Sequence, residues 1–123
     1  MKTIAVLGAS SNRGKYGNKC VRAYRQAGWQ VFPVNPTEPE IEGLPASRRL
    51  ADVPAGLERI SVYLPPPLTL ELLPEIAEKG AKEVWFNPGS ADGRVLEEAR
   101  RLGVPAVPGC SIVDIGLSPA QFP

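Results

Sequence analysis

The chain has 123 residues, with 14 basic and 13 acidic side chains, 43% hydrophobic residues, two cysteines and no histidine. That size holds one domain, expected to run over residues 1–123, and leaves no room for a separate substrate domain. The composition excludes a disordered chain, a disulfide scaffold, histidine-based nucleophile or metal chemistry and, with no apolar run near ~20 residues, a membrane span.

Taken in order, Thr3 to Leu7 is a continuous apolar run ending at Gly8, which predicts a strand buried on both faces of a parallel sheet. Gly8 to Lys19 is polar and basic, so the apolar start does not extend into a signal peptide. Tyr16, Cys20, Val21, Tyr24 and Ala27 recur at helical spacing before Gly28, and Gln30 to Val34 reads as a second strand. Asn35 to Pro45 is a Pro-rich loop, and Ser47 to Asp52 a short helix. Arg59 to Leu64 is a third strand, stopped by Pro65-Pro66-Pro67, and a helix follows from Leu68 to Lys79. Glu83 to Phe86, a helix over Asp92 to Leu102, and Val104 to Val107 complete the pattern. Strands alternating with helices of about ten residues predict right-handed βαβ units: a doubly wound, Rossmann-like α/β fold of about five parallel strands with helices on both faces. Ligands of such sheets bind outside the carboxyl ends of the strands. That rule selects Gly8 to Gly17, Pro33 to Pro36, Tyr63 to Pro67 and Asn87 to Ser90.

Charge is unevenly distributed. Lys2, Arg13, Lys15, Lys19, Arg22 and Arg25 precede the first acid, Glu38, leaving eight basic residues against 13 acidic in the remainder. A basic cluster of this size suits a compact anion rather than a nucleic acid, which calls for a broader basic face. Arg22 and Arg25 read as a solvated helix face.

The segment Gly8-Ala9-Ser10-Ser11-Asn12-Arg13-Gly14-Lys15-Tyr16-Gly17 joins a buried strand to a helix. Small residues let backbone N–H groups approach an anion at the helix N-terminus, the serines and Asn12 add donors, and Arg13 and Lys15 add charge. A Walker A loop does not fit: Gly8 and Gly14 are one residue too far apart, and Tyr16 stands where a metal-binding hydroxyl belongs. The G-x-G-x-x-G pattern of NAD sites fails at Ser10, and the second strand ends Pro33-Val34-Asn35-Pro36, without the acid that holds a ribose diol. A ligand with a phosphorylated ribose, such as coenzyme A, fits that lack; NADP remains open on this argument.

With these residues in place, the chain resembles the CoA-binding domain family, found as small stand-alone bacterial proteins and as the N-terminal domain of the succinyl-CoA synthetase α-subunit. The likeness covers nearly the whole chain. It rests on Gly8-Ala9-Ser10 with Lys15-Tyr16-Gly17, Pro33-Val34-Asn35-Pro36 followed by Glu40-Ile41-Glu42-Gly43, Val62-Tyr63-Leu64-Pro65-Pro66, Val84-Trp85-Phe86-Asn87-Pro88-Gly89, and Gly109-Cys110. The resemblance implies that Ser10, Ser11, Asn12 and Arg13 cradle phosphates and that Pro33, Val34, Asn35 and Pro36 flank the adenine. It further implies that Tyr63, Leu64, Pro65 and Pro67 line the ligand's path and that Phe86, Asn87 and Pro88 border the pantetheine arm. Where many relatives place Gln, this chain has Asn87.

Trp29 and Trp85 read as packing, Cys20 as a small buried hydrophobe, Cys110 as a free thiol near the ligand, and Glu40 and Glu42 as solvated or salt-bridged acids. No catalytic constellation and no metal site emerge. The expected function is therefore non-catalytic binding of coenzyme A or an acyl-CoA in the cytoplasm, as carrier, sensor or regulator, with no nucleic-acid or membrane partner. Two alternatives stay open: a small NADP- or nucleotide-dependent enzyme, and a subunit that completes its site in a homo-oligomer or beside a synthetase-like partner.

Overall fold

The computed structural model describes residues 1–123. Five parallel strands form one sheet: β1 (Thr3–Leu7), β2 (Gln30–Val34), β5 (Leu57–Val62), β6 (Ala81–Phe86) and β7 (Ala106–Pro108), in the order β2-β1-β5-β6-β7. A two-stranded antiparallel hairpin, β3 (Glu40–Ile41) with β4 (Leu44–Pro45), sits in the long connection after β2. The helices are α1 (Tyr16–Gln26), α2 (Pro66–Lys79), α3 (Gly93–Arg101) and the short α4 (Ser111–Asp114).

Strand alternation builds the two cores. In β1, Ile4 and Val6 face the cluster containing Cys20, Val21 and Tyr24 of α1, whereas Ala5 and Leu7 face the cluster containing Leu73 and Ile76 of α2 and Val95 and Ala99 of α3. The chain leaves β1 toward β2 on one side and returns to β5 on the other. The switch point of this doubly wound sheet therefore lies between β1 and β5, where the Tyr63 N–H donates to the Leu7 carbonyl at 2.8 Å.

Local differences from the sequence reading have physical causes. Helix α2 starts at Pro66 rather than Leu68, because Pro66 and Pro67 occupy first-turn positions that need no intrahelical N–H. Ser47 does not begin a helix. It forms a parallel bridge with Val34 at the free edge of β2, and only Leu50–Asp52 makes a 3₁₀ turn. Tyr16 and Ala27 are exposed, and α1 instead buries Gly17 and Asn18 with Cys20, Val21, Ala23 and Tyr24. Arg22 is not solvated: its guanidinium donates to Asn18 Oδ1 at 2.7 Å, to the Arg13 and Phe122 carbonyls at 3.0 Å and to that of Pro123 at 3.3 Å. These bonds, with buried Ile112 and Phe122, hold the segment after Gly109 against α1.

Trp29 and Trp85 pack as expected, on either side of Arg59, whose guanidinium carbon lies 5.2 and 5.0 Å from their rings. Arg59 also donates to Tyr24 Oη and Glu83 at 2.9 Å and pairs with Asp114 at 2.6 Å. One side chain thus ties β5 to β6, α1 and α4.

Candidate ligand-binding site

The loop between β1 and α1 is held in shape by its own side chains. Ser10 Oγ accepts from Asn12 N–H and Asn12 Oδ1 from Gly14 N–H, both at 3.0 Å, closing two successive turns. Asn35, at the end of β2, donates to the Ala9 carbonyl at 2.9 Å, and buried Asn18 donates to that of Ser10 at 2.9 Å. Gly17 approaches Gly8 so closely that a Cβ on it would strike the Gly8 carbonyl. Helix α1 starts with no side-chain cap and no acid in its first turn. Tyr16 and Gly17, which open the helix, both line the cleft beside the loop, so this uncapped end favours an anion there.

Around this loop lies an open cleft of about 660 Å³ on the carboxyl edge of the sheet. Of the residues selected from sequence, Gly8, Ala9, Ser10, Lys15, Tyr16, Asn35, Pro36, Tyr63, Leu64, Pro65 and Pro88 line it together. Beyond Gly8, and sharing Gly8, Pro36, Leu64 and Leu68 with it, an apolar cleft of about 280 Å³ contains Val34 and is bordered by Arg48 and Arg49. A third hollow, of about 300 Å³, shares Tyr16, Tyr63 and Pro88 and adds Asn87, Cys110 and Pro119. The three adjoin across the switch point, the apolar cleft and the third hollow each sharing lining residues with the loop cleft between them.

Other selected residues lie elsewhere. Pro33 and Phe86 are buried in the sheet, and Pro67 is exposed in the first turn of α2. Ser11, Asn12 and Arg13 are exposed and line none of these clefts, and Ser11 and Arg13 meet acids. Ser11 donates from both its N–H (3.0 Å) and its hydroxyl to the Glu38 carboxylate, and Arg13 pairs with Glu42 at 3.3 Å. These bonds from Ser11 hold the Glu38 carboxyl below the usual carboxylate range. Glu42 also accepts from Asn18 at 3.1 Å, so it is a salt-bridged acid rather than a free one. Asn87 is fully engaged within the fold: it donates to Ser61 Oγ at 2.9 Å and the Val62 carbonyl at 3.0 Å, and accepts from Ser111 N–H at 2.9 Å.

Beneath the third hollow, Cys20, Ser61, Tyr63 and Ser111 share a buried polar cluster, with Ser61 Oγ 2.8 Å from Ser111 Oγ. Burial pushes the Cys20 thiol up to about 11 and raises Tyr63 above its ordinary value, the latter helped by Cys20 beside it. Neither is a nucleophile or base at neutral pH. No group of three or more His, Cys, Asp or Glu side chains converges on a metal position.

The profile of the family described as "CoA binding domain" matches residues 2–116. The chain belongs to this CoA-binding domain family. The domain is 29% identical over 120 residues, 89% of its length, to acetate–CoA ligase [ADP-forming] I of Archaeoglobus fulgidus, and covers 18% of that protein. It is 32% identical over 99 residues, 80% of its length, to the alpha subunit of acetate–CoA ligase [ADP-forming] II of Pyrococcus furiosus, covering 21% of it. The CoA-binding domain thus spans about a fifth of the length of these curated relatives. Its fold superposes with TM-score 0.85 and 34% identity on a conserved hypothetical protein from Pyrococcus furiosus, covering 93% of this chain and 99% of that one. No helix is long and apolar enough to cross a membrane.

Sequence reasoning missed Asn18, Glu38, Arg48 and Arg49; it included Gly17 in the loop without its close approach to Gly8, and read Glu42 as solvated or salt-bridged without its partners. For Gly17 a signal existed, since it closes the Gly-rich segment at the first turn of the predicted helix. Asn18, Glu38, Glu42 and Arg49 act through contacts 8 to 29 residues distant along the chain, which no local pattern encodes.

Proposed function

We propose that this CoA-binding domain, acting as one unit over residues 1–123, binds coenzyme A or an acyl-CoA without catalysing a reaction, as a cytoplasmic carrier, sensor or regulator. The observation that carries this reading is the run of adjoining clefts over the switch point, with the Gly8–Gly17 loop and the uncapped start of α1 at its centre. The diphosphate lies at Gly8, Ala9, Ser10 and Lys15, supported by the one loop cation that lines the cleft. The pantetheine arm follows Tyr63, Tyr16 and Pro88 toward Cys110. Cys20, buried beneath the groove, and Tyr63, on its wall, both stay protonated at neutral pH and supply no general base, which favours binding over chemistry.

A second reading has its own support. The curated relatives are acetate–CoA ligases, one of them an alpha subunit, and each is several times longer than the region matched. The domain would then deliver CoA to a reaction centre on a partner chain.

Thermal denaturation tests the binding. Coenzyme A at about 100 times its Kd stabilises by about 2.7 kcal/mol and raises Tm by several degrees, whereas NAD does not. An equal shift with NAD, or a shift with NADP alone, overturns the ligand assignment. Lys15→Ala weakens CoA by about 1–3 kcal/mol and leaves the apo Tm in place. A partner subunit would be seen as a larger complex by size-exclusion chromatography of the native protein.

A further inference from the structure

The basic cluster near the N-terminus does not supply a second phosphate reader. Arg13 is paired with Glu42, Arg22 holds backbone carbonyls, and Arg25 donates to the Glu42 carbonyl at 2.6 Å. Lys2 stacks over Trp29 and Lys19 over Tyr16, at 5.4 and 5.6 Å from the ring centres. Only Lys15 of the six borders the loop cleft.

Two other cations stand on the groove. Arg48 and Arg49 border the apolar cleft beyond Gly8, whose walls include Val34, Leu50, Leu64 and Leu72. Both arginines are exposed. Arg49 is tethered at 3.7 Å to Glu75, which also accepts from the Ala51 N–H at 3.3 Å. Arg48 forms none of the ion pairs of the fold. An apolar slot of ring size with guanidinium groups at its mouth matches an aromatic base attached to a phosphorylated sugar. The base replaces water against the leucines, and the planar forks take the phosphate oxygens in pairs.

Resting on the coenzyme A reading above, we infer that Arg48 and Arg49 read the 3′-phosphate of the ligand's ribose while its adenine occupies the apolar cleft. The pair thus sets specificity for a ribose-phosphorylated nucleotide over its dephosphorylated form, a role separate from the diphosphate site at Lys15. Arg48 is the principal contact, because no carboxylate of the fold competes for it.

The test is a double cycle by titration calorimetry, with coenzyme A and dephospho-CoA against the wild type, the Arg48→Ala/Arg49→Ala double variant and Lys15→Ala. The wild type prefers coenzyme A by about tenfold to a hundredfold, the range for charge-assisted bonds. The double variant binds both ligands alike, at the wild-type level for dephospho-CoA. Lys15→Ala weakens both ligands equally and keeps the preference. Arg48→Glu alone, which leaves the Arg49–Glu75 pair intact, reverses the preference and serves if the double variant loses stability. A preference that survives the arginine substitutions, that vanishes instead in Lys15→Ala, or that is absent from the wild type overturns the inference. A wild type that binds neither ligand overturns the coenzyme A reading beneath it.

Discussion

Gly8 and Tyr63 meet across the switch point at a distance that admits no side chain: a Cβ on Gly8 would stand less than 3.0 Å from the Tyr63 carbonyl oxygen. Gly8 also has φ 93°, a conformation that other residues rarely adopt. The turn that aims the loop at the cleft therefore depends on this residue twice, through backbone conformation and through close approach.

Gly8→Val is accordingly expected to lower stability by about 2 kcal/mol or more, and Gly17→Ala to do likewise through its collision with the Gly8 carbonyl. Gly93→Ala is the control, because a Cβ there meets nothing within 4 Å and helix α3 gains a better former. Denaturant midpoints of the three variants check this. A stable Gly8→Val would show that the turn can be rebuilt without glycine.

The Glu38 carboxylate is tied to Ser11 of the loop and to Asn35. Its charge opposes an incoming phosphate, and partial solvent screening limits the effect. Glu38→Gln keeps an oxygen for the Ser11 N–H while removing the charge. Coenzyme A is expected to bind this variant about threefold to tenfold more tightly in low salt, with the gain shrinking as salt is added. Weaker binding in calorimetry would mark the carboxylate as a ligand contact instead.

How much of this was legible in the sequence depends on the range of the contacts. The strands were readable because Ile4-Ala5-Val6-Leu7 is apolar on both faces, and Ile60, Val62, Val84 and Phe86 fill one core as their spacing demands. Gly8, Lys15, Tyr63 and Pro88 were found from the ends of those strands. Arg13 reads as a free charge along the chain, and Glu42 approaches it only once the β3–β4 hairpin folds back. Arg48 escaped for the converse reason. Its segment looked helical, and only the bridge between Ser47 and Val34 places it beside the groove.

The two thiols differ in ways that a single reagent separates. Cys20 is fully buried and its thiol is pushed up to about 11 by burial, whereas Cys110 is half-buried on the hollow beside Tyr16 and Tyr63. At pH 8 a disulfide reagent is expected to titrate one thiol in the native protein and two in denaturant. Cys110→Ser removes the native reaction, and coenzyme A slows it in the wild type by covering the hollow. Two fast thiols in the native state would contradict the burial of Cys20.

Alkaline pH probes the same buried cluster. Cys20 is raised to about 11 and Tyr24 to about 12, and Tyr63 is raised as well, each chiefly by burial. All three are neutral when protonated, and in the unfolded chain they ionise at about 8.5 for the cysteine and about 10 for the tyrosines. Below about pH 8.5 both states hold these protons, so the full contribution is present there. As pH rises, the unfolded state loses protons that the folded state keeps, and stability falls until each folded pKa is passed. Each group steepens the loss by up to about 1.4 kcal/mol per pH unit. Urea midpoints of the wild type are expected to begin falling near pH 8.5 and to steepen near pH 10. In Cys20→Ala the first segment disappears and the decline starts near pH 10, whatever the stability of that variant at neutral pH. Identical pH profiles for the two proteins would mean that the Cys20 thiol ionises as readily folded as unfolded, which its burial among Ser61, Tyr63 and Ser111 forbids.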